Sequence, residues 1–303
     1  MKKSVLLISI MISVLLVGVV SAGLFDSIKR TITGKALSQD TNVTVNVVGA
    51  TQVNITVDNS TLSGGVTPVE DSSNTVNVYA TVCDPDGVND INDSATTVSY
   101  YKSGETTRSG SCSLVGDLDA YCANFSCSAD LYYWDGYGVW NSNLTANDLG
   151  NQTPVSNTSF TFNYQLLRAM VIDPNQINWS AISPGDTDAK ADNDPTTINN
   201  TGNYDGTLNV TGLDLYGLST TTEVFGVDNF TAGIADDCAT SGVYLANASS
   251  VLVTSSDANP GNLTSGGGAG QEELHYCIPT VPLLSSQQYS TDQQGEWTII
   301  YTD

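Results

Sequence analysis

The chain has very little positive charge. Among its 303 residues, nine are Lys or Arg and 32 are Asp or Glu, so the net charge is -23. Proteins neutralise phosphates with Lys and Arg, and this balance therefore excludes a nucleic-acid partner. The acidity favours solubility and attracts cations in general, but it does not select any one cation.

Histidine is almost absent, and the common catalytic motifs are missing. Any Ser-His-Asp or Cys-His site would have to use His275, the single histidine, which lies close to Cys277. There is no Gly-x-Ser-x-Gly elbow, no His-Glu-x-x-His helix and no phosphate loop. A carboxylate pair for glycoside hydrolysis stays open, although the many Asp residues make any particular pair arbitrary. We expect a protein that is not an enzyme.

The first 22 residues have the features of a secretory leader. Two lysines precede an apolar run over residues 5–20, and residues 20–22, Val-Ser-Ala, offer small or compact side chains to a signal peptidase. The apolar run can be extended over residues 4–25, long enough to cross a bilayer, so a retained anchor is the alternative. Residues 23–40 form a short amphipathic or linker segment. The leader predicts a secreted, cell-surface protein. If the leader is not cleaved, the protein contacts the membrane only through this N-terminal segment.

Six cysteines in an exported chain predict disulfide bonds. Four lie in the first half of the chain and two in the second, so Cys238 pairs with Cys277 if each half pairs internally. A zinc site is disfavoured, because the chain has no Cys-x2-Cys pair and thiolates oxidise outside the cell.

The four cysteines of the first half allow three pairings. A symmetric hairpin with its polar turn centred on Asp117 would place Cys112 opposite Cys122. Cys83 and Cys127 would then pair with each other.

Asn-x-Ser/Thr triplets are more frequent than chance predicts, with fourteen in the chain. In an exported protein they predict a heavily N-glycosylated surface, although many can equally serve as polar strand and turn residues. We set Asn178 apart because its segment is expected to be buried. The thirteen predicted sites are Asn42, Asn54, Asn59, Asn92, Asn124, Asn143, Asn151, Asn157, Asn199, Asn209, Asn229, Asn247 and Asn262.

Long helical periods are also missing beyond residue 40. Residues 44–48, 53–57 and 76–82 instead alternate apolar and polar side chains, which is typical of strands with one buried face. Frequent Gly, Pro, Asn and Asp clusters separate such segments. The pattern predicts an all-β fold of two tandem β-sandwiches, residues 41–167 and 168–303. No Pro/Ser/Gly-rich linker separates them, so we expect little hinge motion.

Two acidic segments have the composition of calcium ligands. The residues are Asp84, Asp86, Asp90 and Asp93 in the first segment, and Asp186, Asp188, Asp192 and Asp194 in the second. Alternating carboxylates can bind Ca²⁺, but the register of an EF-hand is missing. Asx turns at strand ends explain the same residues, so both interpretations stay open.

An aromatic run over residues 132–140 also has two interpretations. Exposed Tyr and Trp can form a platform for sugars. However, Asp135 and Gly136 favour a turn between strands, with Trp140 then in the core. We expect the core and turn arrangement.

The first half resembles the immunoglobulin-like domains of archaeal surface proteins. In those domains a strand ends in Asp-x-Asp-Gly, as at residues 84–87, and a later Gly-x-Trp, as at residues 138–140, leads into the strand before an Asp-bearing turn, as at residues 147–148. The resemblance covers most of residues 75–165. It implies an immunoglobulin-like sandwich.

The second half is similar to the TasA-like β-sandwich proteins, which include biofilm fibre subunits and archaeal bundling pili. The similarity rests on the segment around a Pro-Gly turn at residues 177–185, an Asn-Thr-Gly-Asn turn at residues 200–203, and a following strand at residues 208–211. It implies assembly by strand donation, with residues 41–57 as the donor. The additional domain in front departs from that family.

These features predict a non-catalytic extracellular structural glycoprotein of the cell envelope. It would be a filament or surface-layer subunit that contacts itself or other envelope proteins, without a cofactor. The alternative hypothesis is a surface adhesin that recognises glycans or a partner cell, with calcium as its cofactor if the Asp segments bind it.

Overall fold

The computed structural model describes residues 44–45, 51–58, 62–150, 153–237, 242–265 and 268–302. Within these residues the fold is all-β, as predicted, and the only helical pieces are short 3₁₀ turns. None of the described helices is long and apolar enough to cross a membrane. The predicted leader, residues 1–22, and the segment 23–40 lie outside the described residues.

Eight strands form the first sheet. They are β1 (Asn54–Asp58), β2 (Ser73–Cys83), β3 (Thr97–Tyr101), β4 (Arg108–Asp117), β5 (Cys122–Tyr132), β6 (Gly138–Ala146), β7 (Val155–Asn157) and β8 (Thr161–Tyr164).

Twelve further strands follow within the described residues. They are β9 (Met170–Asp173), β10 (Thr187–Lys190), β11 (Thr196–Asn200), β12 (Thr207–Thr211), β13 (Leu215–Gly217), β14 (Val224–Phe225), β15 (Thr231–Gly233), β16 (Val243–Tyr244), β17 (Ser250–Leu252), β18 (Gln271–Thr280), β19 (Tyr289–Ser290) and β20 (Thr298–Thr302).

The first sheet curls until its two ends meet. Its strand order is β1-β2-β5-β4-β3-β6-β7, and β8 also pairs with β6. The side-chain amide of Asn157 in β7 donates a hydrogen bond of 2.8 Å to the Ile55 carbonyl in β1. All neighbouring strands of this sheet run antiparallel.

Alternating side chains along these strands build the first core. In β2 and β5 nearly every second residue is buried, the period-two pattern of a strand with one face on the core. Trp140 is fully buried, and its indole nitrogen donates to the Gly136 carbonyl at 2.9 Å. The ring centroids of Tyr100 and Phe162 lie 5.1 Å apart, edge to face.

The second half has its own hydrophobic core and shares no strand with the first sheet. Its described strands form one six-stranded sheet and two three-stranded sheets. The ring of Phe230 is fully buried between two tryptophans, with centroid distances of 5.2 Å to Trp179 and 5.4 Å to Trp297. Both indoles donate to backbone carbonyls, which satisfies their buried N–H groups.

A turn of the second half packs against the segment that joins the two cores. The buried Asn203 accepts a hydrogen bond from the Leu167 backbone N–H at 2.7 Å and donates one to the Gln165 carbonyl at 2.9 Å. The Thr201 hydroxyl donates to the Glu70 carboxylate at 2.7 Å. Residues 48–303 accordingly form one compact unit that contains both cores.

The predicted strands are confirmed where the alternation is regular. β1 covers all but the first residue of the predicted segment 53–57, and β2 covers the whole of the predicted segment 76–82. β8 ends at Tyr164 and β9 begins at Met170, on either side of the predicted boundary. Of the predicted segment 44–48, Thr44 and Val45 are described and are not in a strand, and the rest lies outside the described residues.

Candidate functional site

Two disulfide bonds join neighbouring strands of the first sheet, in a pairing different from the predicted one. Cys83 of β2 is bonded to Cys122 of β5, and Cys112 of β4 is bonded to Cys127 of β5. The predicted bonds between Cys112 and Cys122 and between Cys83 and Cys127 are therefore wrong. Strand β5 is thus covalently linked to both of its neighbouring strands, β2 and β4.

The register of the β4–β5 hairpin explains the error. Its turn lies at residues 118–121, later than the predicted centre at Asp117, because the Asp119 carboxylate accepts hydrogen bonds from the backbone N–H groups of Tyr121 and Cys122, both at 2.8 Å. A β-bulge between Leu114 and Gly116 then shifts the register back by one residue. Together they bring Cys112 opposite Cys127.

Cys277 in β18 also forms a disulfide bond. Its predicted partner, Cys238, lies outside the described residues. A bonded Cys277 has no thiolate, so it can act neither as a nucleophile nor as a metal ligand.

Three carboxylates of the first acidic segment converge beside the Cys83–Cys122 bond. Asp84, Asp86 and Asp90 each place a carboxylate oxygen within 4.8 Å of the others. The backbone turns sharply after Asp84, and Gly87 adopts a φ of 124°, which side-chain-bearing residues rarely tolerate. Asp93, the fourth predicted ligand, is exposed and is not part of this cluster.

A second loop adds a fourth carboxylate. Asp148, at the end of β6, forms an isolated antiparallel bridge with Ile91, and the Leu149 backbone N–H donates to the Asp90 carbonyl at 2.7 Å. Asp148 is buried, with 2% of its surface exposed. The sequence does not predict that Asp148 lies here, because only the fold brings residue 148 beside residues 84–90.

Asp84 is the most deeply buried residue of the cluster. It is fully buried, and its Oδ2 accepts no hydrogen bond, while Oδ1 accepts one from the Asp86 backbone N–H at 2.8 Å. Burial raises the pKa of its carboxyl group, and the charges of Asp90 and Asp148 raise it further. We name the four residues Asp84, Asp86, Asp90 and Asp148 the acidic cluster.

The second acidic segment does not converge. Asp186 and Asp192 each accept a hydrogen bond from a nearby backbone N–H, of Ser183 and Ser180 respectively. Asp194 instead lies near His275 and Asp236. Of the two interpretations of residues 186–194, these contacts favour the turn interpretation over a shared calcium site.

The group around Asp194 contains one ion pair and one close His–Asp contact. The Lys190 ammonium lies 2.6 Å from Asp236 Oδ1, and the His275 Nδ1 lies 3.4 Å from Asp194 Oδ2. Burial raises the pKa of Asp194, whereas the hydrogen bond from Lys190 lowers the pKa of Asp236. Because Lys190 already compensates Asp236, this carboxylate is a poor cation ligand.

Ten of the thirteen predicted glycosylation sites are described, and none of their residues is buried. They are Asn54, Asn92, Asn124, Asn143, Asn157, Asn199, Asn209, Asn229, Asn247 and Asn262. Asn42, Asn59 and Asn151 lie outside the described residues. Asn178 is exposed, so the expectation that it is buried is wrong.

The aromatic run forms a turn and part of the core, as expected. Residues 133–135 form the turn between β5 and β6, and Trp140 is fully buried. Tyr132 and Trp134 stack on each other with centroids 4.5 Å apart. Of the run's side chains, Tyr137 and Val139 are the most exposed.

Comparisons of the chain with protein-family models, with curated proteins and with solved structures found no match.

Proposed function

We propose that the chain is a non-catalytic extracellular structural glycoprotein of the cell envelope, built from two tandem β-sandwiches. The observation that carries the proposal is the pair of bonds Cys83–Cys122 and Cys112–Cys127, since stable structural disulfides belong to oxidising compartments. The leader-like residues 1–22 and the exposed or half-exposed Asn triplets support the same location.

A non-catalytic role is supported by the surroundings of His275. Its Nδ1 faces Asp194, and the neighbouring Cys277 is bonded and therefore not a nucleophile. We expect wild type and His275→Ala to behave alike in broad hydrolase screens. An activity that the substitution abolishes would contradict the proposal.

Strand donation by residues 41–57 has a structural requirement. Residues 54–57 are part of β1, which pairs with β2 of the same chain. A donor that includes these residues would have to leave its own sheet, and one that includes the buried Val53 would have to leave the first core.

The test uses the mature protein from native cells. We expect its intact mass to show loss of the leader, three disulfide bonds and added glycan, and negative-stain microscopy to show ordered assemblies that grow with concentration. Monodisperse monomers at high concentration would contradict assembly, and a bare, reduced polypeptide would contradict export.

Glycopeptide analysis adds a test at single sites. Asn54 is exposed on β1, whereas the Asn157 side chain is engaged through both its amide nitrogen and its oxygen. We expect glycan at Asn54 and little or none at Asn157. The reverse occupancy would contradict the described surface.

The second candidate function is an adhesin, supported by apolar side chains at the β4–β5 turn. Val115, Leu118 and Tyr121 are 62%, 57% and 56% exposed, and exposed apolar groups often mark contact sites. A glycan array with and without chelator tests this function. Loss of binding in Tyr121→Ser but not in the control Tyr244→Ser would favour it, and no binding by wild type would remove it.

A further inference from the structure

The acidic cluster concentrates negative charge in a buried place. Asp84, Asp90 and Asp148 are 0%, 7% and 2% exposed, and Asp86 joins them from the surface side. Burying carboxylates together is costly unless a cation or a proton compensates them. Besides burial, the charges of Asp90, Asp148 and Asp86 all act on the Asp84 carboxyl group and raise its pKa, so the four carboxylates lie close enough to interact.

A separate observation indicates that a ligand is needed. The Asp84 Oδ2 atom is buried and accepts no hydrogen bond, in a residue with no exposed surface. Buried polar atoms are nearly always satisfied by protein, water or an ion. This oxygen belongs to the innermost carboxylate of the cluster.

Hydrogen bonds and a disulfide bond hold the loops around the acidic cluster in place without a ligand. The Asp84 backbone N–H donates to the Tyr121 carbonyl at 2.8 Å, and the adjacent Cys83 is bonded to Cys122. On the other side, the Asn92 N–H donates to the Asn147 carbonyl at 2.9 Å. The two chain segments that carry the carboxylates, residues 84–90 and residue 148, are thereby held beside each other, and the β4–β5 turn anchors the first of them.

We propose that the acidic cluster is a calcium site, in which Asp84, Asp86 and Asp90 supply ligands and Asp148 adds charge and a further oxygen. Hard carboxylate oxygens from irregular loops suit Ca²⁺, which accepts six to eight oxygen ligands in flexible geometry. Mg²⁺ demands a stricter octahedron and keeps its waters, so it fits this loop-built site less well. The ion would tie the end of β2 to the end of β6, a role independent of whether the protein assembles.

The test is a calcium titration of the full chain, produced in an oxidising compartment and stripped with chelator. We expect one Ca²⁺ per chain by calorimetry and a rise in Tm of about 5 °C or more at saturation. We expect MgCl2 to give a clearly smaller shift. No heat and no shift with CaCl2, or an equal shift with MgCl2, would overturn the proposal.

Variants locate the site. We expect Asp84→Asn and Asp90→Asn to weaken calcium binding at least about tenfold, because ligand charge sets affinity. Asp93→Asn is the matched control: it removes a neighbouring acidic residue outside the cluster and leaves affinity unchanged. If a buried variant fails to fold, Asp86→Asn, at the exposed edge, takes its place. Wild-type affinity in the folded cluster variants would overturn the assignment.

Discussion

The guanidinium of Arg108 and the carboxylate of Asp135 form a nearly buried ion pair. The Arg108 Nε lies 3.1 Å from Asp135 Oδ1 and 3.0 Å from Oδ2. Asp135 also accepts the Tyr132 backbone N–H at 2.7 Å, and the guanidinium lies 4.6 Å from the centre of the Tyr132 ring. The pair fastens the β5–β6 turn to the start of β4.

We expect Arg108→Met to lower the free energy of unfolding by about 3–5 kcal/mol, because it leaves the Asp135 carboxylate buried without its counter-charge. Denaturant unfolding measures the loss. Lys102→Met is the control, since Lys102 pairs with Glu105 at 3.5 Å at a more exposed position and should cost at most about 1 kcal/mol. Equal losses in the two variants would contradict this role for Arg108.

Peptide mapping of the unreduced protein should recover Cys83–Cys122 and Cys112–Cys127 and no other bonds among these four residues. Replacing both Cys112 and Cys127 with Ala should cost about 3 kcal/mol, since the bond closes a 15-residue separation. Recovery of a peptide that links Cys112 to Cys122 would show that the hairpin register is different.

Gly202→Ala should destabilise the protein by about 1–3 kcal/mol. A Cβ at this position would lie 2.3 Å from the Leu167 carbonyl oxygen, and backbone must move to relieve the clash. Gly64→Ala is the control, because a Cβ there meets no atom within 4 Å. Thermal unfolding compares the two variants, and an unchanged Tm for Gly202→Ala would contradict the close packing of this turn.

Alkaline pH should unfold the protein through its buried tyrosines. Burial raises the pKa of Tyr100, Tyr164, Tyr276 and Tyr301 above the ordinary value of 10.0. Their raised pKa values favour the neutral phenol in the folded state. This contribution is complete below about pH 10 and is lost as the pH rises further, because the unfolded chain then releases protons that the folded chain retains.

Phenolate absorbance and circular dichroism, followed together above pH 10, check this expectation. The last phenolates should appear together with unfolding. Ionisation of all fourteen tyrosines while the far-ultraviolet signal stays native would contradict it.

Local pattern predicted the elements well and their long-range partners poorly. The regular alternation in β2 was sufficient to place an eleven-residue strand, because one face of it is buried along its length. The partner of Cys112 depends on a β-bulge and on the Asp119 turn. Neither feature produces a periodic pattern in the sequence, so the pairing could not be predicted from it.

For the acidic cluster, too, the sequence predicted the residues that are neighbours in the chain but not the one that the fold adds. Asp84, Asp86 and Asp90 are close in sequence, and their composition alone indicated a shared calcium site as one of two interpretations. Asp148 joins them only because β6 ends beside the turn after β2, which is a property of the sheet order. Asp93 is near in sequence, but it lies at the start of a 3₁₀ turn and is exposed.

The contact between Asn157 of β7 and Ile55 of β1 has a consequence for how copies of this protein would join. Because the outer strands β1 and β7 of the first sheet contact each other, the first half of the chain has few unpaired backbone groups with which an incoming strand could pair. The terminal strands of the second half, such as β9 and β16, keep one side without a strand neighbour among the described residues. If copies of the chain assemble by strand pairing, the C-terminal half is therefore expected to receive the incoming strand.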